Sequence, residues 1–99
     1  MQTEAAWLAT LQAAAIYDRS ATTGEDSGLA ANTAKYLAAE AAGEACQTAM
    51  LSMGGMGYSV EFDVERYLRE AFITRIAPVS QQMILNFVGE KALGLPKSY

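Results

Sequence analysis

The sequence predicts an all-α fold, an antiparallel helical bundle with little or no sheet, and three observations carry that reading. Apolar residues recur at helical spacing, while period-two alternation is absent. A stretch without proline runs from Leu29 to Met53 with alanine as nearly all of its filler. Helix punctuation follows in order: Gly54-Gly55, Asp63, Ser80, then Gly94 and Pro96.

Residues 3–18 are strong helix formers that place Trp7, Leu8, Leu11, Ala15 and Ile16 on one face. Residues 19–28 (RSATTGEDSG) are small and polar and predict a loop, with Ser27 as N-cap of the next helix. In the helix from Leu29 to Met53, Leu29, Thr33, Tyr36/Leu37, Glu40/Ala41 and Glu44/Ala45 share helical spacing. So little side-chain bulk lets neighbouring helices approach closely, on more than one side. Gly54-Gly55 stops it, and 59–62 read as extended or turn-like. Asp63 is the expected N-cap of a short helix, VERYLREAF, with Val64, Tyr67/Leu68 and Ala71 on one face. Pro78 disfavours helix at Ala77. Ser80 opens a last helix from Gln81 to about Leu93, with Met83, Ile84, Phe87 and Val88 inward, and Gly94 and Pro96 close it.

Composition narrows the function classes. At 99 residues the chain is one domain or part of one. Seven Lys+Arg against eleven Asp+Glu leave a net charge of −4, which argues against a nucleic-acid partner, since phosphate binding needs a basic face. With no histidine, imidazole is excluded as base, metal ligand or proton shuttle, and no metal site is expected. The single cysteine, Cys46, has no internal disulfide partner, which fits a reducing cytosol and a cytoplasmic protein; it reads as a small core residue. Met1-Gln2-Thr3-Glu4 lacks the basic start of a signal peptide, and Glu40, Glu44 and Gln47 interrupt the longest apolar run, so no membrane span is expected. The first helix begins at the start of the chain, and the helices present leave apolar faces uncovered. This predicts a missing upstream helix or a partner chain, and a dimer or larger in solution.

From about Ala34 to Leu93 the chain resembles the C-terminal domain of acyl-CoA dehydrogenases. Their long Ala-rich helix carries K-x-x-x-x-E-A, here Lys35, Glu40 and Ala41. It runs into Gly-Gly-x-Gly-Tyr/Phe, here Gly54-Gly55-Met56-Gly57-Tyr58. V-E-R-x-x-R-D-A-x-I follows, here Val64 to Ile73, and then a Y-E-G-T-S/A-E/Q loop, here Ala77-Pro78-Val79-Ser80-Gln81-Gln82. The motifs in this order are together specific.

The resemblance implies that residues 1–99 are an incomplete C-terminal helical domain, with the family's N-terminal helical and middle β domains absent. It implies the C-terminal part of an FAD-dependent enzyme that oxidises acyl-CoA thioesters to 2-enoyl-CoA in fatty acid metabolism. Such a part contributes FAD contacts and an oligomer interface, in a homodimer or tetramer, and is inactive alone. Carried over by position, Gly54 and Gly55 approach the adenosine end of an FAD bound by the neighbouring subunit; glycine lets backbone N–H groups come close to a ligand. Leu51 stands in that site where the family has glutamine, so a side-chain hydrogen bond is lost. Ser80 and Gln82 match FAD contacts at a helix start, where free N–H groups suit an anion. Read without the family, the glycines are a helix stop and Ser80 an ordinary N-cap. Arg69 and the acid after it, Glu70, match a structural pair.

One departure bears on the chemistry. The family's usual catalytic glutamate is Pro78 here, which has no titratable group, so no catalytic residue is assigned. The substrate-side glycine is Val79. Three explanations stay open: a base on the preceding, upstream helix; a heteromeric subunit that completes a partner's site; or flavin oxidase or monooxygenase chemistry on the same scaffold. A non-catalytic helical interaction subunit is the alternative from another class, and a helical ligand carrier a third. Glu61 and Glu65 read as surface.

Overall fold

A computed structural model describes residues 1–98, all in helices and their connections, with no strand among them. The helices are α1 (Gln2–Thr23), α2 (Gly28–Met53), the single-turn α3 (Gly55–Tyr58), α4 (Val64–Ile76) and α5 (Gln81–Leu93), with a 3₁₀ turn at Val60–Phe62. The all-α prediction holds.

α2 is the axis of the fold. α1 packs antiparallel along one side of it, and Gln2 Nε2 near the start of α1 donates to Glu44 Oε2 late in α2 at 2.6 Å. α4 and α5 lie end to end along another part of α2. Leu68 of α4 shares a hollow with Gln47, Met50 and Leu51, whereas Arg75, one helical stretch later, lies against Gly43. α5 continues in the same direction, with Phe87 reaching the start of α2 at Gly28. Both helices therefore run antiparallel to α2, each covering about half of it. The result is long and thin, 51 × 30 × 22 Å, with a radius of gyration of 16.4 Å; a compact domain of this length has about 13 Å.

The core is small because its residues are. The buried apolar residues are Ala6, Ala13, Ile16, Ala34, Ala39, Ala41, Ala71 and Ile84. Alanine brings helix axes close, so the contact depends on backbone proximity and not on bulky side chains. Of the apolar face expected on α1, Ile16 is buried but Trp7, Leu8, Leu11 and Ala15 are not. Ala6, Ala13 and Ile16 face α2, while Trp7 is 58% exposed and Leu8 and Leu11 are also exposed. On α4, Ala71 is buried but Tyr67 is exposed; on α5, Ile84 is buried but Met83 is exposed. In each case the small or branched residue takes the contact and the larger neighbour is turned outward.

Helix ends differ from expectation in instructive ways. α1 runs five residues past Asp18, to Thr23. The hydroxyls of Ser20, Thr22 and Thr23 donate back to the carbonyls of Tyr17 and Arg19, so these polar residues are satisfied within the helix. Gly24, at φ 69°, ends it. Ser27 does not cap α2, because its own backbone is already helical; Asp26 Oδ1 instead accepts from Gly28 N at 2.8 Å. Asp63 does not cap α4 either. Its backbone is left-handed, φ 58°, and its carboxylate turns to Arg66. α4 extends through Ile76, past the expected Phe72, and Ala77 is extended before Pro78. Ser80 does cap α5, its hydroxyl accepting from Met83 N at 3.4 Å. Arg69 pairs with Glu65, and Glu70 with Arg66, so the expected Arg69–Glu70 pair is not formed. Both are i,i+4 pairs on the surface of α4, an arrangement that supports the helix only weakly.

The three glycines of the turn after α2 meet different demands. Gly54 has φ 57°, ψ −135°, a conformation that side-chain-bearing residues rarely adopt. Gly57 is buried, and a Cβ there would sit 2.7 Å from the Met50 carbonyl oxygen. Gly55 has neither constraint: its φ is not positive and open space surrounds it. Gly57→Ala is therefore expected to destabilise the fold by about 1–3 kcal/mol through overpacking against backbone, and Gly55→Ala to stay within about 0.5 kcal/mol of wild type. Equilibrium urea unfolding of the two variants checks this; equal effects would show that the close approach at Gly57 is not real.

Candidate functional site

The residues singled out in the sequence fall into two groups at different levels of α2. Leu51, Gly54 and Gly55 lie at its C-terminal end, where Leu51 is 82% exposed and Met56, Tyr58, Val60 and Phe62 add an apolar surface open to solvent. Pro78, Val79, Ser80 and Gln82 lie beside its first half, because Lys35 Nζ donates to the Val79 carbonyl at 2.7 Å. From Lys35 to Gly54 is nineteen residues of helix, or about 28 Å at 1.5 Å per residue. Within one chain the two groups do not meet.

The second group is the more built of the two. Glu40 Oε1 accepts from Arg75 Nη2 of α4 and from Gln81 Nε2 of α5. Gln81 is buried, while Gln82 beside it is exposed and Ser80 is half-buried. The Arg75 guanidinium lies flat on α2 where Gly43 offers no side chain, with its carbon and nitrogens 3.5–3.6 Å from where a Cβ would stand. Its Nε is sequestered without a hydrogen-bond partner. Nothing in the sequence reading anticipated this cluster. The available signal was an arginine inside an otherwise apolar stretch, Phe72-Ile73-Thr74-Arg75-Ile76, and a glutamate inside an alanine run.

The donors from Arg75, then Gln81, hold the Glu40 carboxyl below the ordinary glutamate range, against the opposing effect of its partial burial. A carboxylate so engaged is a poor proton acceptor. Glu61 and Glu65 are no nearer to serving as a base. Glu61 is exposed, Glu65 is bound by Arg69, and Ala77 lies twelve positions on from Glu65, about 18 Å along α4. Cys46 is half-buried, and no group of three or more His, Cys, Asp or Glu side chains suited to a metal ion occurs among the described residues. Along the α1–α2 seam, two hollows of about 460 and 290 Å³ are open grooves lined largely by alanine, not the enclosed chamber of a ligand carrier. No helix among the described residues is long and apolar enough to cross a membrane.

An Ala-paved central helix ending in Gly-Gly, with a Ser-capped helix after a proline loop, defines an all-α domain built around α2. Residues 1–93 match the family model described as "Acyl-CoA dehydrogenase, C-terminal domain", and the chain belongs to that family. It is 46% identical over 101 residues to the acyl-CoA dehydrogenase FadE12 of Mycobacterium tuberculosis (strain ATCC 25618 / H37Rv), an alignment covering 100% of this chain and 25% of that protein. It is 38% identical over 84 residues to "Probable acyl-CoA dehydrogenase fadE25" of Mycobacterium leprae (strain TN), covering 84% of the chain and 21% of that protein. The chain thus spans about a quarter of the length of these curated relatives or less. No solved structure matches.

The depressed titration of Glu40 has a consequence for stability. A carboxyl whose folded pKa lies below its unfolded one contributes stability above the unfolded value and loses it as pH falls through the folded one. Arg75 from α4 and Gln81 from α5 are the groups that face it. The thermal midpoint should fall as pH drops below the ordinary glutamate range, and Glu40→Gln should flatten part of that fall while lowering the midpoint at neutral pH. Thermal melts from neutral to acid pH compare the two proteins; parallel curves would refute the assignment.

Proposed function

We propose that this chain is the C-terminal helical part of an FAD-dependent acyl-CoA dehydrogenase, a domain that lends contacts to the cofactor and surface to a homo-oligomer. The observation that carries this reading is Gly55. Neither its backbone conformation nor any neighbour within the chain requires glycine there, since a Cβ would meet nothing within 4 Å. A glycine that its own fold does not need fits a backbone approached closely from outside.

The residues present fit the cofactor in two places. The turn at Gly54 and Gly55, next to exposed Leu51, offers an open backbone. The start of α5 offers first-turn N–H groups, with Gln82 outward and Ser80 at the cap. A separation of about 28 Å accommodates cofactors bound at two different sites of an oligomer, one group serving the neighbouring subunit. Bound FAD would accept the hydride from the β carbon of an acyl-CoA thioester. This chain's part is to hold and orient: Val79 borders the substrate side, Ser80 and Gln82 the flavin side, and Pro78 supplies no base. The exposed Trp7, Leu8 and Leu11 and the apolar residues around 51–62 supply interface surface.

The flavin oxidase or monooxygenase reading keeps one specific support, Pro78 in place of a base. Anaerobic mixing of the full-length, flavin-loaded protein with acyl-CoA separates the two. Bleaching of flavin absorbance and formation of 2-enoyl-CoA are expected; a colourless protein that takes up no FAD would end the proposal, and turnover only with oxygen and no enoyl product would favour the second reading. The 99-residue chain alone should show no turnover. Leu51→Gln, at an exposed position, should tighten FAD binding about 2- to 10-fold, the yield of one added hydrogen bond of about 0.5–1.5 kcal/mol. Titration of the apoprotein with FAD measures it.

A further inference from the structure

We propose that Glu40 and Lys35 of α2, with Arg75 of α4, are positioning residues that set the geometry of the 77–82 loop, and through it the flavin contacts of Ser80 and Gln82. The proposal rests on the FAD reading given above and names the device on which that site depends.

Two tethers reach from α2 to the loop, one on either side of Ser80. Lys35 Nζ binds the Val79 carbonyl at 2.7 Å, and Glu40 Oε1 binds the Gln81 amide. Lys35 and Glu40 are five residues apart on one helix, so both tethers are referenced to the same rigid element. Successive residues on a helix point about 100° apart. Gln81, its side chain held inward to Glu40, therefore turns Gln82 outward, and the bonds to the Val79 carbonyl and the Gln81 side chain bracket Ser80. Gln81 is the buried polar residue of the described chain, at 8% exposure, and Glu40 is its partner.

Arg75 sets Glu40 in turn. It donates to the same Oε1 as Gln81, so the carboxylate is held between α4 and α5 instead of swinging to solvent. Gly43 gives the guanidinium a flat seat, and Phe72 lies 6.0 Å from it on the same helix. The sequestered Arg75 Nε has no partner, so the pose is not the one that would satisfy all of its donors. α4 and α5 make the two ends of the loop, and Glu40 is the point at which both are tied to α2.

The test uses the full-length, flavin-loaded protein with Glu40→Ala, Glu40→Gln, Lys35→Met and, as a control for simple destabilisation, Ile16→Ala in the α1–α2 contact. Three quantities are read: the dissociation constant for FAD, amide hydrogen exchange across 77–84, and the thermal midpoint. Glu40→Ala and Lys35→Met are expected to weaken FAD binding roughly tenfold and to speed exchange across 77–84. Glu40→Gln keeps an acceptor oxygen and should recover most of the affinity. Ile16→Ala should lower the midpoint while leaving FAD binding and loop exchange near wild type. Unchanged affinity in Glu40→Ala and Lys35→Met, or a loss in Ile16→Ala that follows the midpoint in the same way, would overturn the proposal. Should Glu40→Ala not fold, Lys35→Met, whose side chain lies at the bundle edge, decides alone. Wild-type protein that takes up no FAD is a separate result, which removes the functional reading and this proposal with it.

Discussion

The smallness of side chains along α2 is the constraint from which the architecture follows. Ala34, Ala39, Ala41 and Gly43 are its buried residues, and against them lie α1 on one side and α4 and α5 on the other. With no bulk between them, the helices touch nearly backbone to backbone. Packing of that kind leaves little room for added side-chain volume. It also explains where the large residues went. Trp7, Leu8, Leu11, Tyr67 and Met83 are displaced outward by neighbours that fit better, leaving an apolar exterior on an elongated molecule.

A thin core cannot by itself fix how α4 and α5 sit end to end, since both would slide on an alanine surface at little cost. The polar contacts supply that register. Glu40 joins the two helices through Arg75 and Gln81, and Lys35 holds the connection between them by its backbone. Arg75 is half-buried and its Nε is sequestered without a partner, so the contact carries some desolvation cost. Specific contacts of this type, in a contact otherwise apolar, select one arrangement among several of similar apolar burial. The loop so fixed carries Pro78, Val79, Ser80 and Gln82, and on the proposed reading its work is to present Ser80, Gln82 and the Val79 edge.

The glycine turn at the other end of α2 divides its labour among three residues. Gly54 is required by backbone conformation and Gly57 by the Met50 carbonyl, so both belong to the fold. Gly55 is required by nothing in the chain. A motif read in a sequence mixes such causes, and only coordinates sort them.

The sequence by itself determined the helical class, the limits of α2 and α5, the stop at Gly54 and the cap at Ser80, and the family. These are local events: propensity, punctuation and a linear motif order all act within a few residues. Ser20, Thr22 and Thr23 misled because they resemble a loop yet bond to their own helix, and Ser27 and Asp63 because a cap depends on backbone angles that letters do not carry. The tertiary structure alone decided which face of α1 is inner, that the two candidate groups lie about 28 Å apart, and that Arg75, Glu40 and Gln81 meet across separations of 35 and 41 residues. An alanine-rich helix carries almost no amphipathic signal, so its orientation is set by what packs against it. The partner of a half-buried charge is chosen by proximity in space, which no spacing along the chain encodes.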